Sequence, residues 1–302
     1  MATINTNMSA NVAANSLTRN ERSMGATMER LSTGIRINSA KDDAAGLAIT
    51  SKMTSQINGL NQAVRNANDA ISMIQVGEGA LKEVTNMLQR MRELAIQASS
   101  DSNTDADRTA LNNEFTQLRD EISRIAANTQ WNGTAIFAQT AAVSDKVFQV
   151  GSNASQTITV SFKNFDAGTT TNTANNSGDA TANSSFAALD VDGGSNTKNI
   201  ENLAITSRTG SNEAMFAMSA AIDAVNSQRA LLGASMSRLE FASDNLQNVA
   251  QNSAAARSRV LDADYAAETT ELARTQIIQQ AGTAMLSQAN QSQQSILALL
   301  QS

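Results

Sequence analysis

Hydrophobic positions between Met53 and Ala95 repeat in alternating steps of three and four residues. They are Met53, Ile57, Leu60, Val64, Ala67, Ile71, Ile74, Leu81 and Leu88. Glu78, Thr85 and Arg92 fill the remaining steps, so the pattern is interrupted without losing register. This spacing places the apolar groups on one side of a helix with a repeat near 3.5 residues. At roughly 1.5 Å per residue this helix is about 65 Å long, and its single apolar stripe requires a partner.

Two further stripes predict the partners of this helix. The longer one begins near Ser211 and contains Met215, Met218, Ile222, Val225, Leu232, Met236, Leu239 and Leu246. The shorter one follows a polar turn at residues 99–105 and contains Leu111, Phe115, Leu118, Ile122 and Ile125. Three such helices predict a rod-shaped bundle that needs no cofactor, with methionine as core filler.

The hydrophobic period changes to two between residues 134 and 162. Ile158, Val160 and Phe162 then share one face, which predicts a β-hairpin. Residues 166–210 lack strong periodicity and contain much Thr, Asn, Ser, Ala and Gly. We expect a short, exposed region there.

Both ends of the chain are uncharged, since no charged residue precedes Arg19 and none follows Arg274. Thin apolar stripes cross these ends, at Ile4, Met8, Val12 and Leu17 and at Leu272, Ile278, Met285, Ile296 and Leu300. Each end has too little apolar area to fold alone. We expect the ends to become ordered against each other and against copies of the chain during self-assembly.

Composition excludes several classes of function. The 302 residues include no Cys, no His and no Pro, and 22 basic against 28 acidic residues give a net charge of −6. Thiolate and imidazole chemistry are therefore absent. An acidic chain without a basic cluster is a poor ligand for nucleic acid or an anionic membrane. No apolar run reaches the ~20 residues that span a bilayer.

Two acidic pairs are candidates for metal sites, but helix capping explains them better. Asp42 and Asp43 are sequence neighbours and cannot complete a coordination shell alone. Asp262 and Asp264 lack the other ligands and the turn glycine of a calcium loop. Gly77–Gly79 lacks the third glycine of a phosphate loop and does not follow a strand, so it predicts a helix of locally lowered stability. We expect no catalysis, cofactor or bound metal.

Several segments near both ends resemble bacterial flagellin, the filament subunit of the flagellum. The segments are Leu31–Ile49, Arg65–Asp69, Glu78–Leu81, Leu88–Gln97, Arg257–Glu268, Gln279–Thr283 and Gln288–Gln291. The first of them is long, nearly unbroken and highly specific. The resemblance covers roughly residues 1–165 and 215–300.

The resemblance implies a mostly α fold that combines a terminal coiled coil, a three-helix bundle rod and a small β-hairpin region. Residues 1–43 and 257–302 would form the terminal coiled coil, disordered in the free monomer. Residues 44–165 and 211–256 would form the rod domain, with the hairpin inside the first segment. Residues 166–210 would be the short variable region at the surface, with hydroxyl groups that could carry O-linked glycans.

The resemblance also implies function: an exported, extracellular subunit that polymerises helically into the filament for swimming motility. The implied partners are other copies, an export chaperone, the filament cap, hook–filament junction proteins and host Toll-like receptor 5. Arg90, Leu94 and Glu114 occupy positions that resemble the receptor-binding segment. The alternatives are a junction protein of the same family and, from another class, a soluble coiled-coil adaptor. Growth of long filaments from seeds separates the filament subunit from the adaptor.

Overall fold

The structure is a computed structural model. It describes residues 7–137, 144–163, 165, 189–190, 197–198, 200 and 203–301. The predictions for Ile4, for most of residues 166–210 and for the side chains of Ile296 and Leu300 lie outside the described part.

The described residues form five helices and three antiparallel strand pairs. The helices are α1 (Met8–Thr33), α2 (Ala44–Ala98), α3 (Asp105–Asn128), α4 (Arg208–Leu261) and α5 (Tyr265–Gln301). The strand pairs are β1 (Gln130–Trp131) with β2 (Thr134–Ala135), β3 (Ser144–Gln149) with β4 (Thr157–Phe162), and β5 (Leu189–Asp190) with β6 (Thr197–Lys198). The predicted class, mostly α with a small β region, is confirmed.

The helices begin and end where the sequence predicts breaks. The Asp43 carboxylate accepts a hydrogen bond from the backbone N–H of Gly46 at 2.9 Å, at the start of α2. Asp264 accepts one from Ala266 at 3.0 Å, at the start of α5. Helix α1 ends at Gly34, whose φ of 72° is a left-handed conformation that glycine adopts without a steric penalty. Asp43 and Asp264 therefore cap the starts of α2 and α5.

The chain divides into two compact units, which are described separately. The terminal unit contains the described residues up to Asn58 and from Ala250 onwards. The bundle unit is Gly59–Val249. Both boundaries lie within long helices, α2 and α4, whereas the sequence analysis placed them at the breaks near residues 43 and 257.

The bundle unit has one hydrophobic core, to which α2, α3, α4 and the β3–β4 hairpin all contribute. Every second member of the predicted α2 stripe is buried there, at Leu60, Ala67, Ile74, Leu81 and Leu88. Between these residues, the other buried positions on the same side of α2 are Ala63, Ala70, Gly77, Val84 and Met91. Val64 and Ile71 are only half-buried. Ala63 and Ala70 are therefore buried in place of Val64 and Ile71, whereas Ile57 is buried as predicted.

The β3–β4 hairpin contributes aromatic side chains to this core. Its inner face consists of Ile158, Val160 and Phe162, all buried, as the two-residue period predicts. A Cβ atom at Gly77 would lie 3.2 Å from the Phe162 ring and 3.4 Å from the Phe137 ring. Glycine at this position therefore allows α2 to approach both rings.

The end of the region predicted to be exposed belongs to the core instead. Ile200, Leu203 and Ile205 are buried, and the backbone N–H of Ile205 donates to the Asn112 side chain on α3 at 2.9 Å. Helix α4 then begins at Arg208. The exposed-region prediction is corrected here because three apolar residues within six positions are enough to anchor a loop without any periodic pattern.

In the terminal unit, the segments after α1 and after α4 are joined to each other by backbone hydrogen bonds. The N–H of Arg36 donates to the Leu261 carbonyl at 2.7 Å, and the N–H of Ala263 donates to the Gly34 carbonyl at 3.0 Å. The Arg36 guanidinium also donates to the Val260 carbonyl at 2.8 Å. This short antiparallel link holds the end of α1 beside the segment that leads into α5.

Candidate functional site

Helices α1 and α5 pack side by side in opposite directions. The Asn20 amide on α1 donates to the Thr275 carbonyl on α5 at 2.7 Å, and this contact is buried. Ten residues further along α1, Arg30 forms an ion pair with Glu268 at 3.2 Å. Because the partner number falls as the α1 number rises, the pair is antiparallel.

The residues that face each other across this pair are mostly small or polar. On α1 they are Ala13, Leu17, Asn20, Met24, Thr27 and Leu31, and on α5 they are Leu272, Thr275, Gln279, Gly282, Leu286 and Ala289. Both rows advance by alternating steps of three and four, which is the spacing of a coiled-coil seam. Asn20, Thr27 and Thr275 are its buried members. A Cβ at Gly282 would lie 3.2 Å from Leu17, so the helices approach closely there.

Of the predicted assembly residues, two lie in this seam and four lie outside it. Leu17 and Leu272 do lie there, partly buried. Met8, Val12, Ile278 and Met285 do not, because they are exposed by 62%, 61%, 42% and 66%. These four line an open groove of about 540 Å³ on the surface of the pair, together with Ser9, Ala13, Ser16, Leu17 and Gly282. We call it the outer groove.

The sequence analysis assigned the seam to the largest apolar side chains and therefore missed its polar members. Thr275, Gln279 and Gly282 continue the three–four spacing from Leu272, but none is strongly hydrophobic. A search for the spacing alone, without regard to residue type, finds this row. The consequence is an unusual distribution in which amides and hydroxyls are inside the pair and several aliphatic side chains are outside.

The other candidate surface lies on the bundle unit, around Arg90 of α2. Its Nε donates to Glu114 Oε1 on α3 at 2.9 Å, and a second guanidinium nitrogen lies 2.9 Å from the same oxygen. A third nitrogen contacts Glu93 at 3.2 Å. The hydrogen bond to Glu114 raises the pKa of the Arg90 guanidinium. About half of each of the Arg90 and Glu114 side chains is exposed, so this pair adds little stability but presents a fixed charged surface.

Leu94, the third residue expected at this surface, lies in the core of the bundle unit. Its exposed fraction is 0%, as is that of Phe115 on α3. The assignment of Leu94 to the receptor-binding segment stays a prediction, and its burial indicates a packing role. In this structure Leu94 helps to hold α2 against its neighbours, while Arg90 and Glu114 are accessible.

In the described part of the chain, neither a metal site nor a membrane-spanning helix is found. It contains no group of three or more acidic, cysteine or histidine side chains placed to hold a metal ion. Its helices do not include one with the length and apolarity of a membrane span. The carboxylate of Asp42 has a lowered pKa, chiefly because the Ser39 backbone N–H donates to it. That contact stabilises the turn before α2.

These features define a class: a protein of long helices with a bundle core and a separately packed pair of terminal helices. The family model described as the bacterial flagellin N-terminal helical region matches residues 4–142. The model described as the bacterial flagellin C-terminal helical region matches residues 215–300. The chain belongs to the bacterial flagellin family.

Two flagellin sequences agree with this assignment, and a flagellin crystal structure is also similar to the chain. A flagellin of Halalkalibacterium halodurans is 43% identical, with 90% of each chain covered. A flagellin of Bacillus subtilis is 41% identical, with 98% of this chain and 99% of the relative covered. A crystal structure of Bacillus cereus flagellin is 28% identical, covers 64% of this chain and 94% of that chain, and has a TM-score of 0.42.

Family membership establishes the function at a general level. The chain is a structural subunit that polymerises into the flagellar filament, and it is not an enzyme. None of these matches favours the junction-protein alternative.

Proposed function

We propose that the outer groove is the surface through which the terminal helices contact neighbouring copies in the filament. The observation that carries this proposal is the exposure of Met8, Val12, Ile278 and Met285 on one continuous groove. Isolated exposed apolar residues are normal, but a contiguous apolar patch is typical of an interaction surface. A filament subunit supplies the occupant, which is another copy of the chain.

The uncharged ends support the same proposal. In a helical polymer each contact is repeated along the whole filament, and like charges at a repeated contact would repel one another. Every side chain that lines the outer groove is uncharged. Neutral hydroxyl groups such as Ser9 and Ser16 lie beside the aliphatic ones, so the surface can pack closely without burying a charge.

The outer groove can be tested by paired substitutions, one on α1 and one on α5. Ile278→Gln, combined with Val12→Gln, places two amides in the groove, and we expect seeded filament growth to fail. Ile277→Gln is the matched control, because Ile277 is 65% exposed but does not line the groove. Sedimentation and electron microscopy measure the polymer. Normal filaments from the double variant would contradict the proposal.

This proposal also assigns a role to each domain of the chain. We assign residues 1–43 and 257–302 to the terminal filament core that becomes ordered on assembly, and residues 44–165 and 211–256 to the rod domain. Residues 166–210 would be the variable surface region, excepting the buried anchors Ile200, Leu203 and Ile205. Circular dichroism before and after seeded assembly tests this, since ordering of the ends must increase the helical signal.

We further propose that the subunit leaves the cell through the flagellar export channel and meets a chaperone, the filament cap and the junction proteins. The support is family membership together with the exposed apolar residues of α5, Ile277, Ile278 and Met285, which need a cover before assembly. Purified chaperone should therefore bind the full chain and fail to bind a chain that lacks residues 275–302.

A second function, recognition by Toll-like receptor 5, is supported by the Arg90 surface. The Arg90 guanidinium is held by Glu114 and Glu93, so its orientation is fixed before any partner binds. An oriented arginine at an accessible surface is a frequent anchor of protein interfaces. Leu94 would act indirectly, through the packing of α2.

Receptor signalling by free monomer tests this second function. Arg90→Ala should shift the dose–response curve to higher concentrations by about tenfold or more. Arg92→Ala is the matched control on the same helix, because Arg92 is exposed and lies outside the Arg90–Glu114 pair. Unchanged signalling by Arg90→Ala across the dose series would remove the assignment.

A further inference from the structure

The methionines of the terminal helices are unusually accessible. Met8 and Met285 are 62% and 66% exposed, and both line the outer groove. Met91 and Met218 in the bundle unit have an exposed fraction of 0%. Met8 and Met285 are thus exposed on the surface that we assign to assembly, whereas Met91 and Met218 are shielded in the core.

The composition makes these thioethers chemically prominent. The chain contains no cysteine, so methionine is its only sulfur-containing residue. Oxidants attack sulfur side chains according to their exposure, and methionine is converted to its sulfoxide. Met8 and Met285 are therefore placed to react early, while the buried methionines are shielded.

We propose that Met8 and Met285 form an oxidation site that controls assembly, with hydrogen peroxide or a related peroxide as the oxidant. The inference rests on the proposed role of the outer groove. Each thioether sulfur attacks one peroxide oxygen with its lone pair, a sulfur–oxygen bond forms, and the oxygen–oxygen bond breaks. The sulfur is oxidised to the sulfoxide, the peroxide is reduced, and the departing oxygen leaves as water after proton transfer.

The physical effect is a change in the polarity of the groove. A thioether is apolar and adapts its shape to an irregular partner, whereas a sulfoxide is polar and its oxygen requires a hydrogen-bond donor. The side chains around Met8 and Met285 include Val12, Leu17 and Ile278, which cannot donate. The donors that line the groove are the hydroxyls of Ser9 and Ser16, and the Ser16 hydroxyl already donates to the Val12 carbonyl at 2.9 Å. Two sulfoxides buried there by a neighbouring copy would therefore not both find a donor in the groove, so association weakens.

After assembly, Met8 and Met285 should be protected from oxidation. Once a neighbouring copy covers the groove, peroxide reaches Met8 and Met285 slowly. Oxidation of monomer would block addition of the subunit, whereas a completed filament would resist the same dose. Oxidised subunits would therefore be excluded when monomers add to the filament, and unoxidised ones would be incorporated.

The experiment compares seeded assembly of monomer before and after brief treatment with hydrogen peroxide, with each sulfoxide located by peptide mass spectrometry. When the natural full-length monomer is treated, we expect Met8 and Met285 to oxidise before Met91 and Met218. The critical monomer concentration should rise about tenfold after treatment. In preformed filaments, the oxidation of Met8 and Met285 should be slower than in monomer.

Two leucine variants supply the controls. Met8→Leu combined with Met285→Leu keeps the apolar volume and should assemble normally both before and after treatment. Met28→Leu should lose assembly after treatment as the natural chain does, because Met28 is 54% exposed but does not line the groove. An equal loss of assembly in the treated double variant would overturn the oxidation proposal.

A glutamine variant separates failure of this inference from failure of the proposed function. Met8→Gln combined with Met285→Gln should block assembly without any oxidant. If this variant assembles normally, the groove is not an assembly surface and both proposals fall. If it is blocked, while natural chain carrying both sulfoxides assembles normally, the groove assignment stands and the oxidation proposal is wrong.

Discussion

The two units of the molecule use the same helical spacing to pack very different residues. In the bundle unit the spacing places large apolar side chains such as Ile74, Leu88 and Phe115 in a closed core. In the terminal unit the same spacing places Asn20 and Thr275 between α1 and α5. Burial of apolar area supplies most of the stability of a fold, at about 25 cal/mol per Å². The bundle unit therefore has a core of its own, while the terminal pair depends on further contacts.

The aliphatic side chains are also placed differently in the two units. The bundle unit buries many of its aliphatic residues in one core, although Val147 and Leu231 are more than half exposed, whereas the terminal pair leaves Val12 and Ile278 uncovered on one groove. A pair whose seam mixes aliphatic with polar residues buries little apolar area by itself, and under the proposal it gains further burial from neighbouring copies. The comparison thus distinguishes folding within a chain from folding during assembly.

The largest expected effect comes from removing residues 275–302. The remaining chain should give a soluble monomer that unfolds cooperatively, because the core of the bundle unit lies within Gly59–Val249. It should form no filaments. Full-length monomer should gain helical signal on polymerisation, measured by circular dichroism, and the truncated chain should not. Normal filaments from the truncated chain would contradict the contrast between the units.

Leucine-to-alanine substitutions sharpen the comparison of the two cores. Leu88 has an exposed fraction of 0%, so Leu88→Ala should lower the free energy of unfolding of the monomer by about 2–5 kcal/mol. Leu17 in the seam is only half-buried, and Leu17→Ala should change the same quantity by less than about 1 kcal/mol. Urea unfolding of the free monomers measures both. Equal losses would mean that the seam is already a formed core in the monomer.

Replacing a polar seam residue should make the terminal pair more like the bundle. Asn20→Leu removes a buried amide and adds apolar burial, while the Thr275 carbonyl can remain bonded within its own helix. We expect stabilisation of the α1–α5 pair by about 1–2 kcal/mol, visible as extra helical signal in the free monomer. Because a buried Asn also fixes helix register, assembly should become slower or irregular. An unchanged monomer spectrum would show that Asn20 does not limit the pair.

The smallest effect concerns acid stability of the bundle unit. Asp107 accepts hydrogen bonds from the Thr104 side chain and the Thr104 backbone N–H at the start of α3, and these lower the pKa of its carboxyl below the ordinary value of 3.8. The stabilisation is present above the unfolded-state pKa and is lost as the pH falls through the lower folded-state value. Asp107→Asn should therefore flatten the dependence of unfolding midpoint on pH between neutral and strongly acidic buffers. A dependence identical to that of the natural chain would remove Asp107 from this role.

The sequence predicted the helices well because their spacing survives substitutions at single positions. It placed Leu60, Leu81 and Leu88 correctly, yet it chose Val64 and Ile71 for the alternate row in place of Ala63 and Ala70. The larger side chains carried more weight than the spacing, whereas close packing of helices favours the smaller ones. The apparent interruption at Glu78 disappears when Gly77 is recognised as the packed residue.

The candidate sites were predicted less completely. The family resemblance located Arg90 and Glu114, which are 24 residues apart in the chain and whose ion pair joins α2 to α3. It did not show that Leu94 is buried, because burial depends on which side of α2 faces α3. The outer groove could not be predicted either, since it arises from two helices whose relative rotation is set by Asn20, Thr275 and Gly282.

The pairing of α1 with α5 also has a kinetic consequence. Asn20 and Thr275 are separated by 255 residues, and Asn7 and Ala289, which share a hydrogen bond at 3.2 Å, are separated by 282. Contacts between such distant residues require closure of a very long loop, whose entropic cost must be met before any contact is made. Helices α2 and α3 meet through local contacts that form much sooner. The terminal pair should therefore be the last part of the chain to close during folding, which leaves both ends available to a neighbouring subunit for the longest time.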